Sequence, residues 1–279
     1  MQTGQPSRTA LSAAGHRATH QVAEGGRIFA DPLALKILGP DADAMVAAMA
    51  AQPERRVTRL FIAARTRFAE DALGAAVARG VRQLVVLGAG LDTFAYRNPY
   101  EAEGLKVFEV DHPATQGWKR TRLAEAGLTA PASLTYAPVD FERSSLAEGL
   151  VGAGFDPARP SFFTWAGVVP YLTREAVMAT LDYIGALPGG AEVTFDYSDP
   201  PASLPDEQRL AQAGRAQAVA AAGEPWITYF AAEDLAVELR RLGFNEIEDL
   251  GPAEITVRYF GGPSSDRTKG GHLARARAG

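Results

Sequence analysis

The stretch Gln83–Arg97, QLVVLGAGLDTFAYR, decides how this chain is read. Leu84-Val85-Val86-Leu87 is a short continuous apolar run, as expected of a parallel strand buried on both faces. It breaks at Gly88-Ala89-Gly90, where the absence of Cβ atoms lets the backbone turn sharply and lie close to a ligand. Strand, glycine turn and following helical segment form the place where an open α/β sheet binds a nucleotide. Thr93 stands where the full GxGxxG fingerprint has its third glycine, so the motif is a half-motif.

Moving outward, Lys106-Val107-Phe108-Glu109-Val110-Asp111 is a second apolar strand ending on an acid. Asp111 lies about 20 residues beyond Gly90, the distance at which a carboxylate ending the second strand accepts from ribose hydroxyls. Nicotinamide enzymes and S-adenosylmethionine (SAM) enzymes share this arrangement, because both hold an adenosine.

Beyond this pair, strands are expected at Leu134–Val139, Ser161–Trp165, Glu192–Tyr197, Phe244–Leu250 and Ile255–Phe260. Helices are expected at 113–126, 144–154, 173–187, 204–222 and 232–242. Strand–helix alternation from residue 83 predicts one open, mostly parallel sheet of about seven strands. The last two strands, joined only by Gly251-Pro252 and their flanks, are too close for a parallel crossover, so one late strand runs antiparallel. A Rossmann-like sheet with one late antiparallel strand is the class I SAM methyltransferase layout. The sheet domain spans 81–262, with a helical insertion near 204–230.

Before it, residues 1–80 form an N-terminal helical extension, read either as a lid over the ligand or as a structural layer. Helical pattern begins at Ala18, and Asp31-Pro32 opens a further helix with an Asp cap and Pro at its first position. Asp41–Ala51 and Arg55–Arg79 are expected to be helical. Of Arg65 and Arg67, two positions apart, one can reach a ligand carboxylate while the other is solvated. The glycine-rich, basic 263–279 reads as a flexible tail.

Composition bounds the function. The chain has 279 residues, 47% hydrophobic and 22% charged, enough for a real core. A net charge of −5 argues against a nucleic-acid partner. The lack of cysteine excludes disulfides, thiol nucleophiles and cysteine-ligated metals, and with four histidines and no HExxH no metal centre is expected. No signal pattern and no membrane-length apolar stretch is seen, so the expected compartment is the cytoplasm.

The strings LGAGLDTFAYR, FEVDHPATQ, PVDFE and the Trp165–Leu172 segment resemble the leucine carboxyl methyltransferase family, and most closely its bacterial branch of SAM-dependent O-methyltransferases. The resemblance runs from Arg27 through Leu273. It implies that Gly88 lies against the methionine part of SAM and that Asp111 holds the ribose, with Gly90 of the same turn among the cofactor-binding residues. It further implies that Asp140 and Phe141 bracket the adenine and that Arg65, rather than Arg67, pairs with the SAM carboxylate. Many members carry Glu where this chain has Ala166; a backbone carbonyl of the Trp165–Gly167 turn would then meet the amino group.

The implied reaction is methyl transfer to a carboxylate or hydroxyl of a small-molecule acceptor. A carboxylate needs no base, whereas a hydroxyl does. His112 is the candidate for that role; Tyr171, Asp196 and Tyr197 fall at the carboxyl ends of strands or in the loops that follow, where substrates bind, and His112, Tyr171 and Tyr197 are the catalytic candidates. Trp226 and Tyr229 either line an acceptor pocket or pack. Rival readings are a protein C-terminal carboxyl methyltransferase, a nicotinamide oxidoreductase and a non-catalytic SAM-binding protein.

Overall fold

The computed structural model describes residues 7–139, 145–221, 223–263 and 269–279. The chain divides into two compact units: residues up to Glu70 with Arg82–Phe155, and Asp71–Val81 with Asp156–Gly279.

In the first unit, β1 (Gln83–Leu87), β2 (Lys106–Asp111) and β3 (Leu134–Pro138) are parallel, in the order β3-β2-β1. Leu84 pairs with Val107 and Leu87 with Val110, so the two apolar runs end level with each other. Every residue of β1 is buried, which is why its sequence shows no alternation. Helix α1 (Arg8–Ala23) begins ten residues before the expected start, because Ser7 caps it by accepting from the Ala10 N–H. Its inner face, Ala14 and Ala18, packs with Ile37, Leu38, Val46, Leu91 and Leu123. Gly15 lets α2 (Ala42–Ala50) approach closely: a Cβ there would lie 2.7 Å from the Met49 sulfur. The helix expected after Asp31 is a set of turns and a 3-10 segment, Lys36–Asp41, interrupted at Gly39 (φ 72°) before Pro40. Helix α3 spans Arg56–Ala78. Helix α4 (Pro113–Glu125) follows β2, and α5 (Leu146–Gly152) starts with a capping box of Ser145 and Glu148.

In the second unit, β4 (Ser161–Trp165) and β5 (Ala191–Ser198) are parallel, linked by α6 (Arg174–Gly185). Helices α7 (Asp206–Ala221) and α8 (Ala232–Arg241) precede β6 (Phe244–Leu250). Two expectations fail here. Ile255–Phe260 is no strand: Gly251-Pro252 starts a helical turn, α9 (Pro252–Ile255), which widens into a π-type turn over Thr256–Phe260 and ends at Gly261 (φ 69°). The supposed flexible tail contains strand β7 (Gly271–Ala278), which is the antiparallel strand, inserted between β5 and β6.

The sequence GHLARARA disguises this strand. His272, Ala274, Ala276 and Ala278 face one side and are buried, while Arg275 and Arg277 on the other meet glutamates of both neighbours. Arg275 Nε donates to Glu192 at 2.5 Å, and Arg277 pairs with Glu246. Glu192, itself buried, is also paired with Arg79. Charged residues can occupy an interior strand when each has its partner across the ladder. No described helix is long and apolar enough to cross a membrane.

Candidate cofactor site

The glycine turn after β1 folds back onto the end of β2. Gly88 (φ 61°) and Gly90 (φ 49°) both take left-handed conformations, Gly88 exposed and Gly90 buried. The Gly90 N–H donates to Asp111 Oδ2 at 2.6 Å, and the His112 N–H donates to Oδ1 at 2.7 Å. The glycine turn and the acid that the family resemblance assigns to the ribose therefore meet, through Gly90. Burial pushes the Asp111 carboxyl above its ordinary range, against the pull of the two N–H groups. Gly90 has a second constraint: a Cβ there would lie 3.2 Å from the Ala10 Cβ of α1.

Thr93, in the third glycine position, has a positive role. Its hydroxyl donates to Asp31 Oδ2 at 2.8 Å, and Asp31 Oδ1 accepts the Leu33 N–H. Arg97 Nε donates to Thr93 Oγ1 at 3.1 Å, and its terminal nitrogens grip Glu70 in a two-pronged pair. Burial is the main force raising the Glu70 carboxyl. Arg17, 7% exposed, donates to the carbonyl of Leu91 within the turn itself. Burial lowers its guanidinium, while Asp92 and Asp31 oppose this. The N-terminal helical layer thus holds the turn by several buried bonds.

Arg65 is half-buried and Arg67 exposed. Arg65 lies near His16, which is 4% exposed and whose Nδ1 has no hydrogen-bond partner. Burial first, then Arg55, Arg59 and Arg65, lower the His16 pKa to about 4. The buried imidazole nitrogen is orphaned in a region made positive by arginines, an environment that favours an anionic group. Arg59 is itself neutralised by Glu24, with bonds of 2.7 to 3.1 Å. His16 and His20 stand four apart on α1, yet His20 is engaged by Glu24 and the Ile28 N–H. Sequence reasoning missed His16 and Arg17, having placed both before the helix; Ser7 ahead of an alanine-rich run was the available signal.

The base candidates fare differently. His112 caps α4, its Nδ1 accepting from the Ala114 N–H at 3.1 Å, so the ring proton sits on Nε2 and no lone pair is left to take another. Tyr197 is 1% exposed with its hydroxyl bonded to Asp249, and burial and that carboxylate push its ionisation far up; it is not a base. Tyr171 is half-buried at the end of a single 3-10 turn, Val169–Tyr171. Asp196 Oδ1 accepts the Gly167 N–H at 2.5 Å, so it anchors the turn that carries Ala166. Trp226 is half-buried with its Nε1 shielded and unbonded. Tyr229 lines an open cleft of about 460 Å³ with Arg174, Pro200, Pro201, Ile227 and Thr228. Asp140 and Phe141 lie outside the described residues.

The described sheet topology and the glycine turn define a Rossmann-like methyltransferase fold. Solved structures share it: a DUF574 family protein from Streptomyces avermitilis MA-4680 aligns over 96% of this chain and 97% of its own, with TM-score 0.57 and 16% identity. A "putative methyltransferase" from Thermobifida fusca YX aligns over 99% and 96%, with TM-score 0.56 and 18% identity. The chain belongs to the leucine carboxyl methyltransferase family, whose profile matches residues 10–185. A Bacillus subtilis (strain 168) protein, "Putative S-adenosyl-L-methionine-dependent methyltransferase YktD", is 34% identical over 71% of this chain and 65% of its own length. A similarly named Frankia alni protein is 37% identical over 64% of each. The matches thus span less than two thirds of these relatives.

Proposed function

We propose that this chain is a SAM-dependent methyltransferase that methylates oxygen on a small molecule, with a carboxylate the favoured acceptor. The observation that carries the reading is the Asp111 carboxylate, held at the glycine turn by the Gly90 and His112 N–H groups with its remaining lone pairs available for ribose hydroxyls. The fit extends to both ends. Gly88 offers bare backbone near that carboxylate, and the positive charge of Arg65 near the buried His16 suits the α-carboxylate of an amino-acid moiety. Bound there, SAM supplies a methyl group on a sulfonium, a leaving group already activated.

The residues of the chain then bind and align, and exclude water. Arg17 and Thr93 keep the turn in the shape that presents Gly88. Arg65 and the neutral His16 receive the carboxylate end, and Asp111 fixes the ribose. His112 and Tyr197 are committed to internal hydrogen bonds, so a hydroxyl acceptor has fewer of the candidate residues that the sequence offered to serve as its base. A carboxylate is ionised at neutral pH and needs neither.

Calorimetric titration with SAM, S-adenosylhomocysteine and NADH tests the reading. Saturable binding of the first two and not the third is expected; binding of NADH alone would overturn it.

A further inference from the structure

The second unit buries a cluster of titratable groups that the site above does not use. His272, 5% exposed, sits between two carboxylates: Nδ1 is 2.7 Å from Asp249 Oδ1 of β6, and Nε2 is 2.9 Å from Asp199 Oδ2, just past β5. The Tyr197 ring stacks on the imidazole at 4.8 Å, and its hydroxyl takes the second oxygen of Asp249. A neutral imidazole has one N–H and cannot donate to both acids; the imidazolium can.

Asp199 is a junction. Its carboxylate accepts the Gly270 N–H at 2.9 Å and faces Lys269 Nζ at 3.4 Å, and its own N–H donates to the Gly270 carbonyl. Its carbonyl accepts from Gln212 of α7. The next two residues, Pro200 and Pro201, form part of the cleft lined by Ile227 and Tyr229. The cleft's other strip is tied to the same strand end, because the Phe230 N–H donates to the Ser198 carbonyl at 3.1 Å.

We propose that His272 is a positioning residue: as an imidazolium it latches the start of β7 to Asp199 and Asp249, and so fixes the Pro200–Pro201 wall of the cleft. With His272 and Lys269 charged, the two aspartates are balanced; loss of the His272 proton removes one acid's bond to the imidazole and turns that contact into a lone pair facing a carboxylate. The other ionisable groups facing the cluster are Glu233 of α8, which acts on Tyr197, and Glu254 of α9, beside Gly251 and the imidazole. Both are acidic and favour the cation. Burial alone would lower the His272 pKa, but the bonds and charges of Asp249 and Asp199 raise it above 6.5. The latch is therefore closed below the raised folded pKa of His272 and opens as pH rises through it. Its importance for turnover rests on the methyltransferase reading, whereas its existence does not.

The test follows the full chain by NMR and amide hydrogen exchange. The ¹⁵N shifts of His272 give its charge state from pH 6 to 9.5. Exchange, corrected for intrinsic rate, is read over 199–204 and 270–278. Protection of these segments should fall about tenfold as His272 loses its proton, with β1 and β2 unaffected. Asp249→Asn should move both midpoints down together by about one unit. His272→Gln should abolish the step. A neutral His272 at pH 6, or an exchange step that stays in place in Asp249→Asn, would overturn the proposal. S-adenosylhomocysteine binding, measured in parallel, reports on the cofactor site alone, so a failed methyltransferase reading would leave the latch result intact.

Discussion

The hydroxyl of Thr93 donates to Asp31 Oδ2 at 2.8 Å across 62 residues of sequence, both groups buried. The residue that spoils the glycine fingerprint is therefore the one that fastens the glycine turn to the N-terminal layer. Thr93→Gly, which completes the motif on paper, should not tighten cofactor binding. It should cost about 1–3 kcal/mol of stability, because Asp31 loses a buried donor and Arg97 an acceptor. Denaturant unfolding and calorimetry with S-adenosylhomocysteine check both parts.

Asp111→Asn separates binding from folding. Burial raises the Asp111 carboxyl, so its charge is a burden on the unliganded fold: the stability tied to its raised pKa is present below the ordinary carboxylate range and lost as pH rises through the folded value. The relief of the buried charge is opposed by an amide NH2 left facing one of the Gly90 and His112 N–H groups, so the midpoint of thermal unfolding at pH 7 should change little. S-adenosylhomocysteine affinity should fall at least about tenfold, in line with about 1.5–3 kcal/mol for a charged hydrogen bond. Unchanged affinity would remove Asp111 from the site.

His16 predicts an acid limb. Its folded pKa is about 4 against an ordinary 6.5, so the stability it contributes is present above 6.5 and drains as pH falls toward 4. The full swing is about 3 kcal/mol. In His16→Leu the acid limb should shrink by that amount. Affinity for S-adenosylhomocysteine should drop in the same variant, while affinity for 5′-methylthioadenosine, which lacks the amino-acid end, should hold. Parallel losses for both ligands would mean that His16 only supports the fold.

Gly90→Ala should destabilise by about 1–2 kcal/mol through its positive φ alone, with the Ala10 contact adding to it. Gly104, also at positive φ (84°) but with open space beside it, is the control: Gly104→Ala should cost only the conformational part. Comparing the two by urea unfolding isolates the tightness of α1 against the turn.

Removing residues 271–279 should unfold the second unit rather than trim a tail. Glu192 would keep Arg79 but lose Arg275, and β5 and β6 would each lose their antiparallel neighbour. Loss of the cooperative unfolding transition, seen by circular dichroism, is the expected outcome; a fully cooperative truncated protein would contradict the sheet order.

The sequence by itself determined the parallel strands and the glycine turn, because a strand buried on both faces must be continuously apolar and a sharp turn at positive φ must be glycine. β1, β4 and β6 fall where the pattern puts them, and Asp111 meets Gly90 because β1 and β2 end level, Leu87 paired with Val110. Only the tertiary structure decided the identity of the antiparallel strand. Arg275 and Arg277 read as solvent-exposed until Glu192, Glu246 and Glu248 are brought opposite them, and those pairings span 27 to 83 residues that no local pattern encodes. The same holds around the glycine turn: Arg17 and Thr93 are held by Leu91 and Asp31, both far along the chain. Buried polar groups are settled by three-dimensional satisfaction of donors and acceptors, whereas apolar periodicity is written along the backbone itself.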